Sequence, residues 1–483
     1  MTANGAKRAP AEPLTLDTHV DIPRSYMREP RFDAGTKTEL RVDLGKMERG
    51  GLDAAFFVIF VEQGPRTPEG YAAAFAAAEN KVSAIEALVR KYPDRIRLAT
   101  SPDDVVANHA AGRLSAMMGI ENGYVIGKDL ARLDALYARG ARYIGLTHTG
   151  HNDICTSSGA LKELGEQPAP ENVGISTFGE SVVRRGNALG MMVDVSHSSD
   201  ACVRDVLRLS AAPILASHSA ARALTNHARN LSDDLMRAIA ARGGVVQIVA
   251  YSGFLKLDPA RDAAVKALED QVARQAGDTE FDSAKHEYLP AYQQGLKRLD
   301  AQYPLATLDD YLDHVQHAVR VAGIDHVGFA SDFDGGGALQ GWQDASETRN
   351  VTAGLRRRGF TEAQIAQLWS GNLLRVWRDV ERTARDLTVT RKQAIDSIFD
   401  AVVSEYHLPG LVLGVVEDGR VTYSRTAGEL VAGSGRAIDA DSLFKIASNT
   451  KAMTTGLLAR LVDAGKLKWD DPVVKYLPHL KMS

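Results

Sequence analysis

Eight short apolar runs of five to seven residues recur along the first two thirds of the chain, at 14–18, 54–60, 114–120, 142–147, 191–196, 213–217, 245–250 and 327–331. Between several of them the apolar positions fall at helical spacing, as in 71–90, 130–139, 199–209, 231–242 and 308–321. Short buried runs bounded by turns predict strands, and three-to-four-residue periodicity predicts amphipathic helices. Strands alternating with helices imply a parallel sheet, and eight such units predict a closed (β/α)8 TIM-type barrel, with an open doubly wound sheet as the alternative. No glycine-rich fingerprint follows the early strands, which argues against a dinucleotide site. One long excursion, 253–304, is rich in charge and carries helical character at 263–274, so it predicts a helical cap over the barrel: a lid, a substrate-selecting wall or a plain solvated insertion.

The residues standing at the ends of these runs are His19 with Asp21, Glu62, Glu121, His148, His197, His218, Tyr251 and Asp332. Six of the eight ends thus carry His, Asp or Glu able to bind metal or move protons, with Glu62 and Tyr251 set aside. In a barrel the carboxyl ends of all strands open at one mouth, so these distant residues converge. His19 and Asp21, two apart on an extended segment, project to the same side.

Composition narrows the chemistry. The 483 residues are 45% hydrophobic and 24% charged, enough for a large core and a second unit. The net charge of −4 gives no basic field for nucleic acid or an anionic membrane, so small neutral or zwitterionic substrates are expected. Only Cys155 and Cys202 occur, which excludes a disulfide framework and a thiolate-rich zinc site. The opening Met1-Thr2-Ala3-Asn4-Gly5-Ala6-Lys7-Arg8 lacks the apolar stretch of a secretory signal and no run of 18 apolar residues occurs. The expectation is no transmembrane segment and a cytoplasmic location, or a periplasmic one if a leader is missing.

Metal must therefore rest on imidazoles and carboxylates. A binuclear hydrolytic site needs neutral imidazoles for two cations and a carboxylate to bridge them at roughly 3.5–4 Å, so that a shared water loses its proton near neutral pH. His19 and Asp21 would hold one ion, His197 and His218 the other, and Glu121 would bridge.

Seven segments carry a family resemblance: Asp17-Thr18-His19-Val20-Asp21, Gly119-Ile120-Glu121-Asn122-Gly123, Leu146-Thr147-His148, Val193-Asp194-Val195-Ser196-His197-Ser198, Ser217-His218-Ser219, Arg229-Asn230-Leu231-Ser232-Asp233-Asp234 and Ser331-Asp332-Phe333-Asp334-Gly335. In this order they resemble the membrane (renal) dipeptidase family of zinc peptidases, from about residue 14 to 380. Asn122 stands where that family more often has Gly. The resemblance implies a barrel domain over 14–385, two Zn2+ per chain, dipeptide hydrolysis by a metal-bridging hydroxide, and His19, Asp21, Glu121, His197 and His218 as ligands. It also implies His148 as the group steadying the oxyanion, Arg229 as the partner of the substrate carboxylate and Asp332 as the acid/base. Competing residues stand nearby: His151 for His148, Arg222 and His227 for Arg229, Asp334 for Asp332. His109, His286, His314, His317, His326, His407 and His479 fall outside the strand-end set.

After about residue 385 the pattern changes. A helix is predicted at 392–405, a hairpin at 410–417 and 420–425 around Asp418-Gly419, then Phe444-Lys445-Ile446-Ala447-Ser448-Asn449-Thr450-Lys451 opening an apolar helix at 453–464. This stretch resembles the N-terminal part of serine β-lactamase and penicillin-binding-protein-like hydrolases, with Ser448 and Lys451 one turn apart. The later Tyr-x-Asn and Lys/His-Thr/Ser-Gly elements of those enzymes have no counterpart in the 32 residues after Lys451. Residues 390–483 are therefore expected to be a small, incomplete and catalytically silent α+β segment, which leaves a homodimer open.

The leading reading is a zinc-dependent dipeptidase acting on a small dipeptide, with no nucleic-acid partner. Alternatives are a binuclear hydrolase of another amide, lactone or β-lactam substrate, which keeps the fold and changes the leaving group, and a penicillin-binding-like interaction module with an inert barrel.

Overall fold

The computed structural model describes residues 12–417 and 419–481; the opening Met1–Arg8 segment and Asp418 of the expected hairpin turn lie outside the described residues. The chain divides into two compact units between Thr390 and Arg391.

In the first unit all eight expected runs form parallel strands around a nearly closed barrel: β1 (Leu16–Val20), β2 (Ala54–Phe60), β4 (Leu114–Glu121), β5 (Ala141–Gly145), β6 (Met192–Asp194), β7 (Leu215–Ser219), β8 (Val245–Val249) and β9 (Val327–Ala330), in that order. The short β3 (Ile96–Leu98) pairs with the first half of β4, before β5 takes over beside Met118–Ile120. The circuit closes just beyond β9, where Asp332 N donates to His19 O (3.0 Å) and Asp21 N to Phe333 O (2.8 Å). β1 starts two residues later than its apolar run, because the backbone and hydroxyl of Thr15 are taken by Asp53 and Gly51. His19 therefore lies within β1 rather than after it.

Strand alternation explains why both faces are apolar. Leu16, Ala54, Phe56, Met117, Tyr143, Met192, Leu215 and Val245 fill the interior near the amino ends of the strands, where Trp377 and its helix pack on them; Ala55, Phe57, Ile59, Ala116, Met118 and Ile120 face the surrounding helices. This is the two-sided burial expected of a parallel sheet wrapped by helices. With the amino end plugged, the polar inward positions collect at the carboxyl end.

Two strands break the alternation. Leu16 belongs to the interior and Val20, of the same parity, to the outer layer; a register shift lies between Asp17 and Val20. Likewise Ala216 faces the helices while His218, of the same parity, joins the cluster at the mouth, across a shift between Ala216 and Ser219. Such irregularities re-aim side chains, and here they turn histidines of β1 and β7 toward the barrel mouth.

The expected helices form at Pro68–Lys91, Leu130–Ala138, Asp200–Leu209, Asp233–Ala241 and Leu308–Ala322. Ser199 and Ser232 cap theirs instead of entering them, accepting from Cys202 N and Leu235 N. The excursion contains helices Ser252–Leu255, Pro259–Ala276, Ser283–His286 and Pro290–Gln302. The two cysteines form a single disulfide, Cys155 to Cys202, with Cα atoms 6.1 Å apart. Among the described residues no helix is long and apolar enough to cross a membrane.

The expected helix 392–405 is the last part of a single helix, Asn372–Glu405, and the division between units falls inside it. The second unit adds a two-stranded antiparallel sheet, β10 (Gly410–Glu417) with β11 (Arg420–Gly428), and helix Asn449–Asp463.

Candidate metal centre

Glu121, the last residue of β4, sits at the middle of the mouth. Its Oε2 is 3.3 Å from His19 Nε2, and its Oε1 is 3.1 Å from His197 Nε2 and 3.4 Å from His218 Nε2. The two oxygens thus face His19 on one side and the His197–His218 pair on the other. On the first side Asp21 Oδ2 lies 3.4 Å and Asp332 Oδ1 3.8 Å from His19 Nε2. On the second, the Nε2 atoms of His197 and His218 are 2.8 Å apart, and His148 Nε2 lies 3.9 Å from Glu121 Oε1. Ligand atoms fall into three overlapping groups: His19, Glu121 and His218; Glu121, His148 and His197; His19, Asp21 and Asp332.

The donor set fits divalent cations. His19 Nε2 is buried with no hydrogen-bond partner although two carboxylates flank it, which suits an atom whose lone pair serves an ion. Burial pushes His197 and His218 well below the usual histidine range, so both stand as neutral imidazoles, the form that binds metal. Burial works against charge on Glu121 and His19 as well, but each holds the other: the Glu121 carboxyl lies well below its ordinary range and His19 well above its own.

Glycine makes room at two points. A Cβ on Gly119 would sit 2.0 Å from the Tyr143 ring, and one on Gly335 would sit 2.2 Å from Asp21 Oδ2. The first allows Tyr143 to cross the interior so that its hydroxyl meets His19 Nδ1 (3.2 Å) and Thr18 O (3.2 Å).

The remaining expected residues take distinct positions. His148, three residues past β5, stacks between His197 (ring centroids 4.1 Å) and Phe60 (4.5 Å), and burial lowers its pKa. His151 is held in its own loop, its ring bonded to Gln167 O and Ser157 N. Arg229 bonds His218 O at 3.1 Å and lies over the Phe254 ring at 5.2 Å; its Nε is buried without a partner, and burial brings its pKa down to about 10. Arg222 is instead fully engaged in a two-pronged pair with Asp200 at 2.7 Å, and His227 accepts from Arg229 N while stacking on Phe254. Asp332 has a left-handed backbone (φ 58°), and burial, reinforced by Asp21 and Glu121, pushes its carboxyl well above the usual range. Asp334 accepts from Arg41 N (2.9 Å) and Val42 N (3.2 Å), tying down the loop after β1. Glu62 and Tyr251 are not among the grouped ligand atoms; Tyr251 stacks on Phe254.

Phe254 packs under Arg229, and Tyr288 meets Phe32 edge-on at 4.8 Å, with the neighbouring Glu287 carboxyl pushed up to about 8 by burial.

Tyr143 and Ser217, which meet the rings of His19 and His218 from behind, and Asp194, which holds Ser217, were not apparent in the sequence. Tyr143 had a weak signal, a polar aromatic in a strand beside Gly119 of the preceding one; Asp194 and Ser217 stand inside segments already singled out, but nothing in one dimension ties them to a ring nitrogen.

Histidines and carboxylates gathered at the carboxyl mouth of a (β/α)8 barrel define a candidate metal-dependent enzyme. A family model for membrane dipeptidase (peptidase family M19) matches residues 5–391, and one for beta-lactamase matches 395–483. The chain is 31% identical over 355 residues to dipeptidase aclJ of Aspergillus oryzae, covering 72% of each, and 30% identical over 391 residues to an uncharacterized dipeptidase of Schizosaccharomyces pombe, covering 77% of this chain and 82% of that one. Among solved structures, the probable dipeptidase PvdM of Pseudomonas aeruginosa is 33% identical with a TM-score of 0.67, over 77% of this chain and 96% of that one. A metallo peptidase of Rhodobacter sphaeroides, solved with a phosphinate mimic of the dipeptide L-Ala-D-Ala, shares the fold at 22% identity, with a TM-score of 0.60 over 76% of this chain and 99% of that one. The chain belongs to the membrane dipeptidase family. It is a metallo-dipeptidase carrying a C-terminal beta-lactamase-like segment.

In that second segment, Lys451 Nζ donates to Ser448 Oγ at 2.7 Å, and both residues are exposed.

Proposed function

We propose that this chain hydrolyses the peptide bond of dipeptides with two zinc ions, one held by His19 and Asp21, the other by His197 and His218, with Glu121 between them. The observation that carries the reading is the orientation of Glu121, whose two oxygens face His19 and the His197–His218 pair from one buried side chain. Two cations bound there supply Lewis acidity toward the scissile carbonyl and a water acidic enough to attack it near neutral pH.

The chain's own residues do the rest. Arg229 presents a guanidinium whose Nε is buried and unpartnered, suited to a substrate carboxylate. His148, kept neutral by burial, offers a ring N–H to the oxygen that gains charge. Asp332, with its raised affinity for a proton, takes one from the attacking water and passes it to the leaving amine. Phe60 and Phe254 exclude water on either side. Ser448 and Lys451, in the other compact unit, take no part.

The test is metal analysis with a kinetic screen of Xaa-L-Ala and Xaa-D-Ala dipeptides. Two zinc ions per chain with dipeptide hydrolysis lost on chelation and restored by zinc are expected; fewer than about one per chain, with no hydrolysis after zinc is added, would refute the reading.

A further inference from the structure

We propose that Asp194 and Ser217 form a relay that fixes the tautomer and ring orientation of His218, which makes Ser217 a positioning residue for metal binding. The inference rests on the metal reading above and adds to it two residues that touch neither ion nor substrate.

Asp194 closes β6 and is buried. Its Oδ1 accepts from Ser196 N (3.0 Å) and Ser217 N (2.8 Å), and its Oδ2 accepts from Ser217 Oγ (2.7 Å). Ser217 Oγ lies at the same time 2.8 Å from His218 Nδ1. A serine hydroxyl has one proton, and Asp194, although burial raises its pKa, accepts at both oxygens from the three donors around it, as a carboxylate does. The Ser217 proton therefore points to Asp194, and the serine oxygen is left to accept from His218. That bond requires the proton of the neutral imidazole to sit on Nδ1. Nε2 then carries the lone pair, facing Glu121 Oε1 at 3.4 Å and His197 Nε2 at 2.8 Å.

The other two histidines lack this arrangement. His19 Nδ1 meets a tyrosine hydroxyl 3.2 Å away, and His197 Nδ1 is buried with no hydrogen-bond partner among the described residues. Of the three, His218 alone has its Nδ1 linked through a hydroxyl to a carboxylate. Its ring also stacks on His19 at 3.8 Å and on His197 at 4.9 Å, so fixing it fixes the spacing of the cluster. Outer partners of this kind raise the basicity of the ligand nitrogen, and removing one typically costs about 10–100-fold in metal affinity.

The experiment measures Zn2+ affinity by competition with a chromogenic chelator for the wild-type chain, Ser217→Ala and Ser217→Thr, with circular dichroism of the metal-free proteins as the fold control. Ser217→Ala is expected to keep its fold and lose about 10–100-fold at one of the two ions, and Ser217→Thr, which retains the hydroxyl, to recover most of that loss. Equal zinc affinity in the wild type and Ser217→Ala would overturn the relay while leaving the metal site standing. Failure of the wild type to bind zinc would overturn both. Should Ser217→Ala not fold, nitrogen NMR of the histidine-labelled, metal-free wild type decides, with the His218 signal identified by its loss in His218→Gln. A proton on Nδ1 supports the relay, and a proton on Nε2 refutes it.

Discussion

His197 and His218 face each other through their Nε2 atoms at 2.8 Å, with Glu121 Oε1 within 3.4 Å of both. Two buried neutral imidazoles do not gain from such an approach unless a proton or a cation lies between their lone pairs. The carboxylate beside them favours positive charge there, whether proton or metal ion. The arrangement ties a β6 loop residue of left-handed backbone, His197 with φ 66°, to a residue that β7 turns inward by a shift in register.

Glu121→Gln removes the charge that faces His19 and the His197–His218 pair. We expect loss of metal at both positions and a fall in kcat of at least about 10³-fold, since one metal-assisted step contributes several kcal/mol. Metal stoichiometry by mass spectrometry checks it: a variant that keeps two ions and wild-type turnover would show that Glu121 does not bridge.

Arg229→Met should raise KM for free dipeptides and lower kcat/KM by about 10²–10³-fold, the range for losing a charge-assisted bond in a buried site. Dipeptide amides, which lack the carboxylate, should change less than about tenfold. An equal loss on both substrates would place Arg229 in a structural role.

Metal binding should release protons. Although burial opposes its charge, the metal-free His19 is held well above the usual histidine range by Glu121 and Asp21, so at neutral pH a proton occupies the nitrogen an ion needs. Apparent affinity therefore falls as pH falls and rises with pH until that raised pKa is passed. Calorimetry at pH 7 in buffers of different ionisation enthalpy should show about one proton released for the ion bound by His19; heats independent of the buffer would contradict this.

Reduction of Cys155–Cys202, or its replacement by two serines, opens a crosslink across 47 residues. The expected loss is about 2–4 kcal/mol of stability, read as a lower denaturant midpoint. An unchanged midpoint would mean that the bond is not formed in solution.

Ser448→Ala should leave dipeptide hydrolysis within about twofold of the wild type, as expected for an exposed residue of the other compact unit. Hydrolysis of a chromogenic β-lactam that survives chelation and disappears in Ser448→Ala would show instead that this pair is active.

The eight strand runs were legible because a strand buried on both faces is largely apolar, whatever it pairs with, polar residues entering toward the carboxyl ends. Helix ends at Ser199 and Ser232 were harder to place, since a capping serine and a first helical residue look alike in sequence. Glu121 could be picked out as a strand-end residue, whereas His148, expected directly at a strand end, stands three residues past β5. Only the family resemblance favoured Arg229 over Arg222, because Asp200, which engages Arg222, lies 22 residues away at the start of a helix.

Taken alone, the sequence determined the alternation of strands and helices, the reliance on imidazole and carboxylate rather than thiolate, and the set of polar residues that a barrel would bring to one mouth. The tertiary structure decided which way they point. His19 and His218 lie on strands whose register shifts reverse their parity, and a register belongs to a pair of strands rather than to either one. The link from Asp194 through Ser217 to His218 likewise exists only once β6 and β7 lie side by side, because a hydrogen bond is set by distance in space and not along the chain.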